Sequence, residues 1–202
     1  MTKIKFCGLS RKEDIAAANK LNPDFIGFVF AGNSRRFVSA GQAAKLKEAL
    51  APGIKAVGVF VDENVDMVSM LLNRGVIDIA QLHGNEEEDY IARLREKTEK
   101  PIIQAFRITG KEEVCKALRS TADYILLDSG AGTGTVFDWS FLKDIQRPYF
   151  LAGGLDSANV AEAVKVWHPF AVDVSSGIET DGRKDQYKMA AFAAAVRKED
   201  GR

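Results

Sequence analysis

Short apolar runs alternate with segments of helical periodicity along the whole chain. The runs predicted to be strands are residues 3–7, 25–30, 56–61, 77–82, a run that begins after Pro101, 124–128, 150–152 and 170–174. Helical patterns lie between them, and a last one covers about 186–196. Such alternation is typical of βα units that form a parallel sheet. Eight units with no linker between them predict an α/β protein, a single (β/α)8 TIM barrel that spans residues 1–202 as one domain.

Local signals mark several helix starts. Ser10 with Glu13, and Ser39 with Gln42, have the spacing of a capping box, so helices are predicted to open at those two serines. Asn64 or a neighbour is predicted to begin the third helix, and a short helical turn is predicted near 139–142.

The last two predicted strands each run into a polar loop that contains glycine. Gly153 and Gly154 follow the seventh strand, and Ser176 and Gly177 follow the eighth. Glycine lets the backbone approach an anion closely, and free N–H groups at a helix N-terminus can hold a phosphate. One Gly-Gly pair could merely end a strand, but loops after strands 7 and 8 form the usual phosphate site of this barrel. The pair of loops therefore predicts phosphate binding at these four residues.

Composition narrows the class of protein. The 202 residues include 28 basic and 28 acidic side chains, so the net charge is zero and no attraction to nucleic acid or to a membrane is indicated. The N-terminus lacks the apolar core of a secretion signal, which favours an enzyme of the cytoplasm. Cys7 and Cys115 show no metal-ligand spacing with His83 or His168, so no metal site is predicted.

Cys7 is the first candidate for chemistry. It ends the first strand, and period-2 alternation turns Lys3, Lys5 and Cys7 toward the barrel interior. Asp173, inward on the eighth strand, is a candidate partner for an inward lysine. A cysteine is usually a small buried hydrophobe. Here the strand end, nearby Lys5 and the following helix N-terminus favour a thiolate, and so a general base.

Asp128 is the second candidate. It ends the sixth strand on the inward face, and a carboxyl in apolar surroundings can stay protonated and act as a general acid. The alternative, that Asp128 caps the loop that follows it, has equal weight on this residue alone. Its pairing with Cys7 favours the acid.

Other polar side chains are predicted near the strand ends. Arg36, after the second strand, suits a carboxylate, although its neighbour Arg35 could serve as well. His83 is interpreted as a structural histidine, and Arg107 is a weak candidate for a substrate contact. The glycine-rich loop 129–135 does not match a dinucleotide-binding fingerprint and is interpreted as a mobile loop over the substrate.

Taken together, the motifs resemble the phosphoribosylanthranilate isomerase family of the tryptophan pathway. The matching segments are KFCGL (5–9), GFVF (27–30), SRRFV (34–38), GVFV (58–61), QLHG (81–84), LDS (127–129), GTG (132–134), FDW (137–139), LAGGL (151–155), VDVSSGIE (172–179) and GRKD (182–185). The chain departs from the usual family pattern at Phe6 and Arg35, and neither departure removes a catalytic group.

This resemblance implies a barrel without a cofactor that carries out an Amadori rearrangement. The expected substrate is a small phosphosugar, N-(5-phosphoribosyl)anthranilate, and the product is the corresponding 1-amino-1-deoxyribulose phosphate. The resemblance also implies that Cys7 is the general base, Asp128 the general acid and Arg36 the contact for the anthranilate carboxylate. Asp173 is placed with the substrate-binding residues Gly153, Gly154, Ser176 and Gly177.

Two other functions stay open at the level of sequence. A lyase or synthase would use the same phosphate loops but would need a lysine at the mouth of the first strand, where Lys5 is one position too deep. A metabolite sensor would keep those loops without needing Cys7 or Asp128. The predicted surface helices show no excess apolar stripe, so a monomer is expected.

Overall fold

Eight parallel strands close into a barrel in the computed structural model of the protein, which describes residues 1–129, 138–143 and 145–201. Each strand pairs with the next one along the chain, and the eighth pairs with the first. The strands are β1 Lys3–Cys7, β2 Phe25–Val29, β3 Lys55–Phe60, β4 Ile79–Leu82, β5 Ile102–Arg107, β6 Tyr124–Asp128, β7 Tyr149–Leu151 and β8 Ala171–Val174. The predicted (β/α)8 TIM barrel is confirmed.

Helices surround the barrel. Within the described ranges there are seven α-helices: α1 Lys12–Leu21, α2 Ala40–Glu48, α3 Val65–Asn73, α4 Glu88–Arg95, α5 Lys111–Arg119, α6 Val160–Trp167 and α7 Gln186–Glu199. The connection from β6 to β7 contains the 3-10 helix Trp139–Leu142, where the helical turn was predicted. The loop predicted at 129–135 to cover the substrate lies, apart from Ser129, outside the described residues.

The barrel has an apolar core on each side of its sheet. Outward-facing strand residues pack against the helices, so most strands are buried on both faces and their sequences are apolar almost throughout. The barrel interior is filled at its N-terminal end by a separate cluster that includes Phe25 and Phe150, whose ring centroids are 5.4 Å apart. Lys3 Nζ lies 4.9 Å from the centroid of the Phe170 ring at that same end. The other end of the interior, where the strands terminate, contains polar side chains such as Gln81 and Asp173.

Helix starts agree with the sequence signals at two of three places. Ser39 accepts a hydrogen bond from the Gln42 amide, and Asn64 accepts one from the Asp66 amide, as predicted. The first prediction is wrong, because Arg11 rather than Ser10 precedes α1. The Asp14 carboxylate accepts from the amides of both Ser10 and Arg11 at 3.0 Å, and the Arg11 guanidinium fixes that carboxylate.

A small hairpin that was not predicted follows β8. Its strands are β9 Glu179–Thr180 and β10 Arg183–Lys184, and Lys184 lies directly opposite Glu179. Asp181 and Gly182 form the turn with φ of +51° and +74°, which matches the left-handed backbone of the common two-residue hairpin turn. No helix in the part of the chain that the structure describes is long and apolar enough to cross a bilayer.

Candidate active site

A cavity of about 560 Å³ opens at the C-terminal ends of the strands. It brings together most of the residues that the sequence singled out. Its lining includes Cys7, Arg35, Arg36, His83, Asp128, Gly153, Gly154, Asp173 and Ser176. Gly177 lies just behind this lining, where its backbone packs against the Leu155 carbonyl. Arg107 and Cys115 do not line it.

Cys7 lies at the mouth end of β1 with its side chain nearly covered. Gly27, its neighbour on β2, leaves room for the thiol, because a Cβ at that position would lie 2.8 Å from Cys7 Sγ. Burial raises the pKa of the Cys7 thiol, and Asp173 raises it further, while Lys5 and Lys184 lower it without reversing the shift. The raised pKa therefore disfavours the thiolate that the sequence predicts. The helix that was expected to help begins only at Lys12, which is five positions further along the chain.

Lys5 and Asp173 form a buried ion pair beneath Cys7. They are paired positions on adjacent strands β1 and β8, and Lys5 Nζ lies 2.8 Å from Asp173 Oδ2. Asp173 is thus the partner that was predicted for an inward lysine. Burial lowers the pKa of Lys5, but Asp173 and Cys7 outweigh it and the net shift is upward. Lys5 is thus held as an ammonium ion. The second oxygen of Asp173, Oδ1, is buried without a hydrogen-bond partner among the described residues.

Asp128 lies at the end of β6 beside a histidine. His83 Nε2 is 3.4 Å from Asp128 Oδ2, and its Nδ1 is 2.9 Å from Gln81 Nε2. His83 was interpreted as merely structural, but it contacts the candidate acid and lines the same cavity. Its position two residues after the inward Gln81, just past β4, is the signal in the sequence that could have shown this.

Arg36 is held by a carboxylate that the sequence analysis did not single out. The loop after β2 folds back so that the Val38 amide donates to the Val29 carbonyl, which carries Arg36 to the cavity. Its Nε and Nη2 lie 2.7 and 2.8 Å from the two carboxylate oxygens of Glu179. Glu179 also receives Lys184 Nζ at 2.6 Å. The feature of the sequence that could have indicated Glu179 and Lys184 is the Asp-Gly turn between them.

The two glycine loops meet at the cavity edge. Gly153 and Gly154 have φ of +88° and +64°, a backbone that other residues rarely adopt. Within the described residues, their amide N–H groups donate to no protein acceptor. The Asn159 side chain fixes the loop by donating to the Gly154 carbonyl at 2.8 Å. This arrangement suits an anion that binds to backbone amides.

A second cavity of about 570 Å³ lies between the loops that precede α3 and α4. Its lining is rich in carboxylates, among them Asp62, Glu63, Glu86 and Asp89, and includes one arginine, Arg93. A carboxylate-rich wall does not suit an anionic ligand. No three His, Cys, Asp or Glu side chains in the described ranges are arranged to hold a metal ion.

The barrel has a thiol, a carboxyl, an arginine and two glycine loops at its C-terminal mouth. This arrangement is typical of a (β/α)8-barrel enzyme that acts on small molecules. The chain belongs to the N-(5'-phosphoribosyl)anthranilate (PRA) isomerase family, whose model matches residues 4–195.

Individual relatives cover the chain almost completely. An N-(5'-phosphoribosyl)anthranilate isomerase of Endomicrobium trichonymphae is 44% identical over 202 residues, which are 98% of this chain and 99% of that protein. The crystal structure of phosphoribosyl anthranilate isomerase from Thermotoga maritima is 32% identical, covers 98% of this chain and 100% of its own, and has a TM-score of 0.90. A third structure, also 32% identical over 98% of this chain and 100% of its own, has a TM-score of 0.88 and contains reduced 1-(o-carboxyphenylamino)-1-deoxyribulose 5-phosphate.

Proposed function

We propose that this protein converts N-(5'-phosphoribosyl)anthranilate into 1-(2-carboxyphenylamino)-1-deoxyribulose 5-phosphate in tryptophan biosynthesis, the isomerisation for which its family is named. The observation that carries the proposal is that Cys7 and Asp128 line one cavity together with Arg36 and the Gly153-Gly154 loop. A base and an acid thus face the same space as two groups suited to the two ends of the substrate.

The substrate is anionic at both ends, and the cavity offers a different group for each. The amides of Gly153, Gly154, Ser176 and Gly177 would hold the phosphate, and Arg36 would hold the anthranilate carboxylate. Val59 and Val61 also line the cavity and would offer an apolar wall to the aromatic ring. The ribose would then lie between Cys7 and Asp128.

The chemistry needs one acid and one base. Asp128, protonated, donates its proton to the furanose ring oxygen, and the C1–O bond breaks to give a Schiff base between C1 and the anthranilate nitrogen. Cys7, as the thiolate, removes the C2 proton, and the electron pair of the C–H bond moves to give an enolamine. Tautomerisation places a proton on C1 and forms the C2 ketone of the product. Each such proton transfer contributes roughly 10² to 10⁴-fold to the rate.

The state of Lys5 argues against the lyase or synthase alternative. A covalent mechanism through an amine requires the neutral lysine as nucleophile. Lys5 is fully buried, bound to Asp173 and held in its ammonium form. Lys5 therefore offsets the negative charge of Asp173 beneath Cys7 and does not attack a substrate.

The direct test is consumption of freshly made phosphoribosylanthranilate, followed by fluorescence. Wild-type protein is expected to turn the compound over well above the buffer blank. Replacement of Arg36 by Met should chiefly raise KM, because Arg36 contacts a part of the substrate that does not react. Turnover by the wild type no faster than the blank would overturn the assignment.

A further inference from the structure

The pairing of Arg36 with Glu179 uses only one edge of the guanidinium. A guanidinium carries five N–H donors, and Glu179 engages those of Nε and one on Nη2. The end of the group formed by Nη1 and the second hydrogen of Nη2 is not used by this pair. Arg36 lines the mouth cavity and Glu179 does not. Glu179 thus approaches the arginine from behind, as seen from the cavity.

Glu179 is itself firmly held. Lys184 lies opposite it in the hairpin, and Lys184 Nζ also donates to the Ser175 carbonyl at 2.8 Å. The side chains of Glu179 and Lys184 are only 8% and 2% exposed. Burial works to raise the pKa of Glu179, but the hydrogen bonds from Arg36 and Lys184 prevail and bring it to about 2. Glu179 is therefore a permanent carboxylate at neutral pH.

The path of the Arg36 side chain is fixed from a third direction. Its aliphatic stem crosses Gly8, the residue after Cys7, where a Cβ would lie 2.5 Å from Arg36 Cδ. Arg36 and Lys184 carry two positive charges and Glu179 one negative charge, so this group has a single positive charge left. One further carboxylate at the free end of Arg36 would neutralise it.

We propose that Glu179 is a positioning residue. Its carboxylate holds one edge of the Arg36 guanidinium, so that the other edge faces the cavity and can bind the substrate carboxylate. The inference rests on the proposed function and adds a residue to it. The LDS, LAGGL and SSG motifs contain the groups proposed for the chemistry and for the phosphate end of the substrate. The hairpin that contains Glu179 would serve the end of the substrate that carries the aromatic ring. A bidentate arginine–carboxylate contact is strongly directional, so a guanidinium that is free to rotate binds the substrate less well.

The test compares Glu179→Gln with Thr180→Ala. The glutamine keeps the shape of Glu179 but removes its charge and one acceptor, whereas Thr180, the exposed neighbour on β9, directs its hydroxyl to Asp185 rather than to Arg36. We expect Glu179→Gln to raise KM about tenfold with kcat changed less than about threefold, and Thr180→Ala to leave both unchanged. Thermal unfolding followed by circular dichroism checks that both variants are folded.

A second comparison separates positioning from a general loss of structure. In an Arg36→Met background the Glu179→Gln change should no longer raise KM, because Glu179 acts through Arg36. The same loss of effect is expected with the carboxylate-free analogue N-(5'-phosphoribosyl)aniline as substrate. A tenfold effect that persists in either case would contradict the inference.

Two further outcomes would also overturn it. An unchanged KM in Glu179→Gln would show that Arg36 needs no such support, and a lower KM would show that Glu179 competes with the substrate for Arg36. Wild-type turnover is measured first. Its absence would overturn the proposed function together with this inference, whereas normal wild-type turnover with either KM result would overturn this inference alone.

Discussion

Cys7 shows how a catalytic side chain depends on the groups around it. The thiol needs to lose its proton to act as a base, yet burial beside Asp173 keeps its pKa above the ordinary value. Lys5 and Lys184 lower the pKa of Cys7 in part. The positive charge of Lys5 is largely offset by the Asp173 carboxylate, which lies 2.8 Å away. Most of this thiol is therefore protonated at neutral pH.

A pH dependence of the activity follows. The parameter kcat/KM reports on groups of the free enzyme, and in the wild type it depends on Cys7 being deprotonated while Asp128 is protonated. In Asp128→Asn the acid no longer titrates, so the residual kcat/KM of that variant should rise with pH from about 7 to about 9 as the Cys7 thiolate fraction grows. Steady-state assays of Asp128→Asn across that range provide the measurement, with Cys115→Ser in the same background as a control that should have the same profile, because Cys115 is exposed on α5. A profile that is flat or falls over this interval would mean that Cys7 does not act as a thiolate base.

His83 and Arg36 illustrate what a sequence alone does not reveal about residues. The strand ends placed Cys7 and Asp128 at the mouth, because period-2 alternation and parallel pairing fix both. The partner of Arg36 lies 143 positions further along the chain, so their contact depends on closure of the whole barrel. Likewise, the contact of His83 with Asp128 joins the ends of β4 and β6, which are not neighbours in the sheet.

Among the elements, the loop after β7 is closely packed at Gly153. A Cβ on Gly153 would lie 2.1 Å from Ser129 Oγ and 2.5 Å from Asp128 Oδ1, in addition to the strain of its positive φ. The loop therefore touches both the proposed phosphate site and the proposed acid. A side chain at this position would displace the side chains of Ser129 and Asp128.

Replacement of Gly153 by Ala tests the loop. We expect KM to rise at least about tenfold and the free energy of unfolding to fall by about 1–3 kcal/mol. Gly75→Ala is a matched control, since Gly75 has a similar φ of +71° but no atom within 4 Å of its would-be Cβ. Urea unfolding and steady-state kinetics on both variants measure the difference. A KM in Gly153→Ala equal to that in Gly75→Ala would contradict the phosphate role of this loop.

Element boundaries were predictable where local chemistry decided them. The ends of β1 and β6 agree with the predicted residues, because each has a polar side chain at the mouth and a loop immediately after it. The β4 strand begins two residues later than predicted, since Asp78 accepts a hydrogen bond from the Ala56 amide before regular pairing starts. The hairpin strands contain two residues each, which is too short for any periodic pattern.

At the scale of the whole molecule, the first and last barrel strands pair with each other, and α7 packs against α1. We propose that the chain works as one catalytic domain. The barrel closes only when β8 reaches β1, so most of the chain is needed to form the site.

We also propose that the protein is a monomer. The large apolar side chains that are exposed lie on separate elements rather than on one face, for example Met67 on α3, Leu118 on α5 and Val166 on α6. Light scattering should give a mass near 22.1 kDa. A mass of twice that value, independent of dilution, would show a stable dimer.

Cys7 and Asp128 are proposed as the base and the acid of the isomerisation, and the kcat values of variants at these two positions test their roles most directly. The variants Cys7→Ser and Asp128→Asn are compared with wild type and with Cys115→Ser on freshly made phosphoribosylanthranilate. We expect each of the two site variants to lower kcat by about 10² to 10⁴-fold with KM within about tenfold of wild type, and Cys115→Ser to leave kcat unchanged. A Cys7→Ser or Asp128→Asn enzyme that turns over as fast as Cys115→Ser would contradict this account.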